Sequence, residues 1–255
     1  MFIKNAREPQ DGNSRPAPRG RGRPRGATAK SAETREALYR VAVGLFASQG
    51  YEQTTLRAIA DRAGVSPGLL YRYFPSKRAV VLALYDELSA EFQERARAMP
   101  RGRWRDRFAF ALETSLEVLG PHRGTLVALV PVLVGGADAG LFAPATAFSR
   151  ERVQSAFVEA VTGAGDAPRG GGAAALGRAL DLVHLAVLLL WLLDRSEGQR
   201  ATARLVAVVR RALPAFALAY RMRVLRDLVR DLDEVARQAF YGRAARPSTR
   251  SPLKN

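Results

Sequence analysis

From Glu33 to about residue 240 the apolar residues of this chain recur at three- and four-residue intervals, and no stretch alternates apolar with polar. That period belongs to helices buried along one face, and a chain that keeps it throughout has no strands from which to build a sheet. The expected fold class is all-α. With 255 residues there is enough chain to bury a sizeable core, and Gly and Pro mark where its helices stop. Helices are expected over about 32–48, 54–63, 67–73 and 77–98. Longer and more apolar ones follow over about 102–119, 121–134, 144–162, 174–195, 198–219 and 222–240. Pro214 should kink the penultimate helix.

The two ends differ from the middle. Residues 1–30 and 242–255 lack apolar periodicity and are rich in Arg, Pro, Gly or Ser, so they read as a disordered basic arm and a disordered basic tail. Between them, residues 31–78 hold a set of short helices and form one domain. Residues 79–241 hold the long helices and form a second. The formal charge of +16 and the pI near 11.2 call for a polyanionic partner, either nucleic acid or an anionic membrane surface. Much of the surplus sits at the ends: the first 30 residues carry eight cationic side chains against two acidic ones. Only four of the 40 cationic residues are lysine, as a GC-rich coding sequence favours. That accounts for the choice of arginine and leaves the surplus of positive charge to be explained.

Several function classes fall away. There are no cysteines, so disulfides, thiol chemistry and cysteine-ligated zinc are excluded. The two histidines, His122 and His184, are too few and too far apart for a metal site. No Gly-rich phosphate loop follows a strand, and no Ser-His-Asp set or carboxylate pair stands out at a usable spacing, so no catalytic residue is assigned and an enzyme is not expected. No apolar stretch opens the chain as an export signal would. The most apolar run, Leu185 to Leu193, falls short of the roughly 20 residues of a membrane span. A soluble cytoplasmic protein is expected, without a membrane partner or a cofactor.

The positive evidence lies between residues 33 and 85. A helix, a short helix, a Gly-centred turn at Ala63-Gly64-Val65 and another short helix follow one another within about 40 residues. This is the plan of a helix-turn-helix, whose last helix enters the major groove of DNA. Ser66 is a helix cap with Pro67 at the first helical position. Leu69 and Leu70 face inward, which leaves Pro67, Gly68, Tyr71, Arg72 and Tyr73 for the groove. Lys77 and Arg78 open the next helix, where a phosphate is favoured.

The residue string is sharper than the plan. Thr54-Thr55-Leu56-Arg57-Ala58-Ile59-Ala60, then Ala63-Gly64-Val65-Ser66, then Leu70-Tyr71-Arg72-Tyr73-Phe74-Pro75-Ser76-Lys77 closely resembles the N-terminal signature of the TetR family. The resemblance covers about a fifth of the chain. It implies that Thr55 and Arg57 contact the DNA backbone or an adjacent base, and that Ser66, Pro67, Gly68, Tyr71, Arg72 and Tyr73 form the groove-facing surface. It also implies that Lys77 clamps a phosphate. Gly68 and Leu69 give the third helix few groups for bidentate base contacts, so Arg72 and DNA shape would carry more of the readout.

The same resemblance implies a homodimer that binds a palindromic operator, its reading helices roughly 34 Å apart, and a small apolar or amphipathic effector in the helical body that releases it, most simply as a repressor. Pocket candidates are Trp104, Phe108, Leu112, Leu129 and His184. His184 reads either as a bonded core residue or as a ligand contact. The dimer would form through the two most apolar helices, with Leu180, Val183, Val187 and Trp191 on one and Leu205, Val208 and Val209 on the other.

In the arm, Arg21-Gly22-Arg23-Pro24 matches the core of an AT-hook, and Arg21, Arg23 and Arg25 would then lie in a narrow minor groove. Generic attraction to phosphates is the other reading. Two wider alternatives remain at this point. One is an architectural DNA-binding protein that acts through basic tails without an effector. The other is a helical membrane-surface protein, which would leave the Tyr-rich third helix without a role.

Overall fold

The computed structural model describes residues 25–135, 140–169 and 171–241. Among them are eleven α-helices and no strand, so the all-α expectation holds. The helices are α1 (Arg25–Gln49), α2 (Leu56–Ala63), α3 (Pro67–Tyr73), α4 (Lys77–Ala96), α5 (Trp104–Leu119), α6 (Arg123–Ala128), α7 (Val130–Gly135), α8 (Ala147–Thr162), α9 (Gly172–Leu193), α10 (Arg200–Ala219) and α11 (Arg223–Tyr241).

Three departures from expectation have local causes. The first helix begins at Arg25, not Ala32. Pro24 is the last helix breaker before it, and alanines follow. The arm read over residues 1–30 therefore gives its last residues to α1, and Arg25 starts a helix instead of lying in an extended strand. Arg21 and Arg23 fall outside the described residues, as does the tail after 241. The single helix expected over 121–134 is two short ones, α6 and α7, because Pro131 has no N–H to give the carbonyl of Val127. Pro214, by contrast, lies inside α10, which runs on to Ala219.

The head, α1 to α3, closes over Leu38, Ala42, Phe46, Ile59, Ala60, Leu70 and Phe74, all at most 1% exposed. Gly64 ends α2 in the left-handed region at φ 68°. The N–H of Val65 then reaches back to the carbonyl of Ala60 at 3.0 Å, which turns the chain toward α3. Thr55 and Ser66 cap α2 and α3 by accepting from the N–H groups of Ala58 and Leu69.

The body is built around α8 and α9. Gly177 allows their closest approach, for a Cβ there would sit 2.6 Å from the Cα of Val158. Arg107, 6% exposed, lies across the end of α8. It donates to the carbonyls of Glu159 and Ala160 at 3.1 and 3.0 Å. Both carbonyls lie in the last turn of α8, where a cation is favoured, and that of Glu159 also accepts from the N–H of Gly163 at 3.0 Å. A two-bond fork from Arg178 to Asp233, both bonds 2.7 Å, holds α11 on α9.

Among the described residues α9 is the one helix long and apolar enough to cross a membrane, with a mean hydropathy of 1.9 in its most apolar window. It packs against α5, α6, α8, α10 and α11, and turns Asp181 and His184 inward, as a core helix does.

Candidate nucleic-acid interface and internal cavity

The expected DNA surface separates into two groups. Thr55, Arg57, Ser66, Pro67, Gly68, Tyr71 and Arg72 are exposed, and the capping geometry sets them at the start of α2 and along α3. Tyr71 is 53% exposed in a head whose other large aromatic side chains are packed wholly or in part. Tyr73 and Lys77 belong elsewhere. The Tyr73 hydroxyl lies 3.1 Å from the Ser31 hydroxyl, on the α1 side of the helix and not the groove side. The Lys77 ammonium donates to the carbonyl oxygens of Tyr51 and Glu52 at 2.7 and 3.3 Å and stands 4.4 Å from the Tyr51 ring. It locks the start of α4 to the α1–α2 connection and is already engaged before any phosphate arrives.

The expected pocket is largely corrected. A cavity of about 130 Å³ lies between α4, α5, α6, α8 and α9. Of the five candidates only His184 lines it. Phe108, Leu112 and Leu129 are fully buried in packed core, and Trp104 sits edge-on to Phe216 at 6.2 Å, away from the cavity.

The cavity wall is apolar except for a short polar chain. The Ser115 hydroxyl is 2.8 Å from His184 Nε2, and His184 Nδ1 is 3.5 Å from Asp181 Oδ1. All three residues are at most 3% exposed, and the His184 ring lies against Phe157 with centroids 4.5 Å apart. Tyr85, from α4, brings a buried hydroxyl that has no hydrogen-bond partner. Burial pushes its pKa up, which keeps it a proton donor. Arg150 also lines the wall, with its guanidinium donating to the Leu141 carbonyl at 3.0 Å.

Ser115, His184 and Asp181 have the connectivity of a nucleophile, base and acid, an arrangement hidden in the sequence because they stand on two helices. The surroundings do not suit acyl transfer. Ser115 lies within α5, where backbone N–H groups are committed to carbonyls one turn back and cannot form an oxyanion hole. The chain of groups reads as a polar wall for a ligand. Tyr85 and Asp181 went unnoticed for a related reason: nothing local separates a cavity-lining tyrosine or carboxylate from one that faces solvent.

Two helices touch both the cavity and the head. α4 places Tyr85, Leu88, Ser89 and Phe92 on the cavity wall, and Lys77 at its start is latched to the α1–α2 connection. α6 places Leu126 on the wall and packs against α1. Arg123, at the start of α6, donates to the carbonyls of Trp191 and Asp194 at 3.0 and 2.8 Å, tying α6 to the end of α9.

The residues expected at a dimer interface divide between core and surface. Leu180, Val187 and Trp191 are at most 4% exposed and belong to the chain's own core, while Leu205 and Val209 are half-buried. Val183 and Val208 are exposed, as expected, and so are Leu189, Leu190 and Leu193 of α9 and Leu218 of α10. α11 exposes a further row, Val224, Leu228, Leu232 and Val235.

Residues 38–84 match the family model described as bacterial regulatory proteins, tetR family. Among curated relatives, the regulator TcmR of Streptomyces glaucescens is 37% identical over 73 residues, which are 29% of this chain and 32% of that protein. The repressor KstR of Rhodococcus jostii is 43% identical over 61 residues, 24% of this chain and 27% of that protein. The sequence match thus spans about a third of these relatives or less.

Structural likeness extends further. A TetR regulator from Nitrosomonas europaea superposes with a TM-score of 0.54 at 21% identity, covering 73% of this chain and 99% of that one. FadR of Bacillus subtilis, solved in complex with stearoyl-CoA, superposes with a TM-score of 0.51 at 14% identity, covering 68% and 96%. Residues 38–84 thus carry the N-terminal signature of the tetR family, and over most of its length the chain has the fold of the solved TetR regulators it superposes on.

Proposed function

We propose that the protein is a homodimeric transcriptional repressor, acting in the cytoplasm, that binds a palindromic operator through α3 and is released by a small-molecule effector held in the internal cavity. The observation that carries this reading is the pairing of two unlike surfaces. The head exposes small and polar residues around Tyr71, which suits a polar groove, and the body exposes leucine and valine across adjacent helices, which suits a second copy. Pro67 and Gly68 let the backbone come close, and Arg57 and Arg72 meet the negative potential of DNA. Catalysis has no part in this reading.

Release follows from which helices the cavity touches. A ligand that prefers a wider spacing of the cavity walls would shift α4 and α6, and both are fastened to the head. The two binding events are then coupled, each weakening the other. FadR holds an acyl-CoA; the cavity here is close in size to one that admits a single aromatic ring, roughly 150 Å³.

The test is selection of bound sequences from a random DNA pool at near-physiological salt, with wild type and Tyr71→Ala in parallel. The proposal expects an inverted repeat that disappears with the variant. Equal recovery of AT-rich or unenriched DNA by both would refute it and favour an architectural protein acting through its basic tails.

A further inference from the structure

The polar groups on the cavity wall specify the charge of the ligand. Two of them lack a full set of partners among the described residues: Tyr85, whose buried hydroxyl has none, and Asp181, 2% exposed, whose Oδ1 has nothing closer than His184 Nδ1 at 3.5 Å. A buried polar group left unsatisfied costs about 1–3 kcal/mol, so a ligand that satisfies both gains what the empty protein lacks. Tyr85 is a donor and needs an acceptor oxygen. Asp181 Oδ1 needs a donor, for Gln154 Nε2 donates to Oδ2 at 3.5 Å and leaves Oδ1 unserved. One hydroxyl group supplies both.

Charged heads fit worse. A carboxylate would stand in an apolar cavity beside that of Asp181, where like charges repel with little screening. Arg150, the cation on the wall, keeps its charge while its guanidinium donates to the Leu141 carbonyl and lies 5.8 Å from the Phe142 ring, so it offsets this repulsion only in part. An ammonium would answer Asp181 but has no lone pair for Tyr85. Most of the rest of the wall is leucine with Val153 and Phe92, beside Ser89, Thr146 and Ser149, and a cavity of about 130 Å³ takes an apolar body near the size of one ring.

We infer that the effector is a small uncharged alcohol or phenol, its apolar body among the leucines and its hydroxyl between Tyr85 and Asp181, and that it is bound in preference to anionic compounds of the same size. This rests on the effector-cavity reading above. It gives Tyr85 a purpose that packing does not, since a phenylalanine would fill the same space without an unsatisfied hydroxyl.

Four probes of one size test it on the full chain by calorimetry: benzyl alcohol, toluene, benzoate and benzylamine. Benzyl alcohol is expected to bind at least tenfold more tightly than each of the others. Tyr85→Phe should weaken benzyl alcohol roughly tenfold and leave toluene unchanged. The ligand-free Tyr85→Phe protein should melt at the wild-type temperature or above it, which a merely structural tyrosine would not allow. Asp181→Asn should strengthen benzoate at least fivefold, because the repelling charge is gone. Benzoate or benzylamine binding as tightly as the alcohol would overturn the inference and leave the effector-cavity reading standing. Alcohol binding indifferent to Tyr85→Phe would overturn it too, by placing the ligand elsewhere. Failure of all four probes to bind would take down both.

Discussion

Head and body expose opposite chemistry, and their functions were legible to opposite degrees. In α2 and α3 almost every side chain has its direction set within a few residues: Thr55 and Ser66 cap, Gly64 turns, Leu70 goes in and Tyr71 goes out. In α9, nearly every position is apolar, so the sequence states that the helix is buried without stating which way it faces. A helix reads out its rotation only where its residues differ around the circumference. The lesson is that a binding surface made of local geometry can be read from a string, whereas one made by the phase of an apolar helix needs its neighbours.

The largest expected effect tests that phase directly. Leu193→Glu places a charge on the exposed face of α9 and should abolish association, lowering DNA affinity by roughly a hundredfold or more once the second half-site is lost. Leu180→Ala, on the inward face, should cost about 2–5 kcal/mol of stability through the cavity it leaves and keep the dimer. Sedimentation and thermal unfolding separate the two. The opposite pattern would mean that α9 is turned as its sequence first suggested.

Gly177→Ala comes next. Its Cβ would lie 2.6 Å from backbone on α8, so the two helices must part, and a loss of about 1–3 kcal/mol is expected from denaturant unfolding. Unchanged stability would show that α8 and α9 are not in such close contact.

Within the head the contrast is between neighbours. Tyr71→Ala should weaken binding to the selected operator by about 1–3 kcal/mol, while Tyr73→Phe should change it little and cost at most ~1 kcal/mol of stability through the lost Ser31 contact. Equal losses of DNA affinity would return Tyr73 to the groove. Lys77→Met is sharper still, because phosphate contacts have their own signature. A lysine on a phosphate contributes roughly one unit to the slope of log affinity against log salt. Lys77 donates to the carbonyls of Tyr51 and Glu52, so its removal should destabilise the fold and leave that slope unchanged.

The smallest effect concerns the turn between α9 and α10. Asp194 accepts from the Thr202 hydroxyl and backbone N–H and from Ser196, and the hydrogen bonds from the Thr202 and Ser196 hydroxyls, with backbone help, hold its carboxyl below the usual carboxylate range. A depressed pKa contributes stability above the unfolded value of about 4, lost only as the pH falls through the folded one. Asp194→Asn should therefore melt lower than wild type at neutral pH and converge with it in strong acid. A gap that persists there would assign the effect to shape, not charge.

These contrasts also show what the sequence contained. The short helices α2 and α3, the cap at Ser66, the turn at Gly64 and the all-α class all follow from local chemistry and appear as expected. Pro131 was visible and should have divided the helix expected over 121–134. The phase of α9 left a trace as well: Gly177, Asp181 and His184 are spaced four and three apart, so a residue small enough for close packing and two polar ones share a face that must turn inward. The cavity left no such trace. Tyr85, Ser115 and Asp181 come from three helices, and a cavity is a space between helices. Phe108, Leu112 and Leu129 are as apolar as any cavity lining and are instead packed solid.

The central claim is that one face of the chain reads DNA while another pairs two copies. The most direct measurement is the number of chains bound to a duplex carrying the selected operator, by sedimentation, for wild type and Leu193→Glu. Two wild-type chains per duplex, with Leu193→Glu bound weakly and singly, is the predicted result. One chain per duplex at full affinity for both proteins would contradict the account.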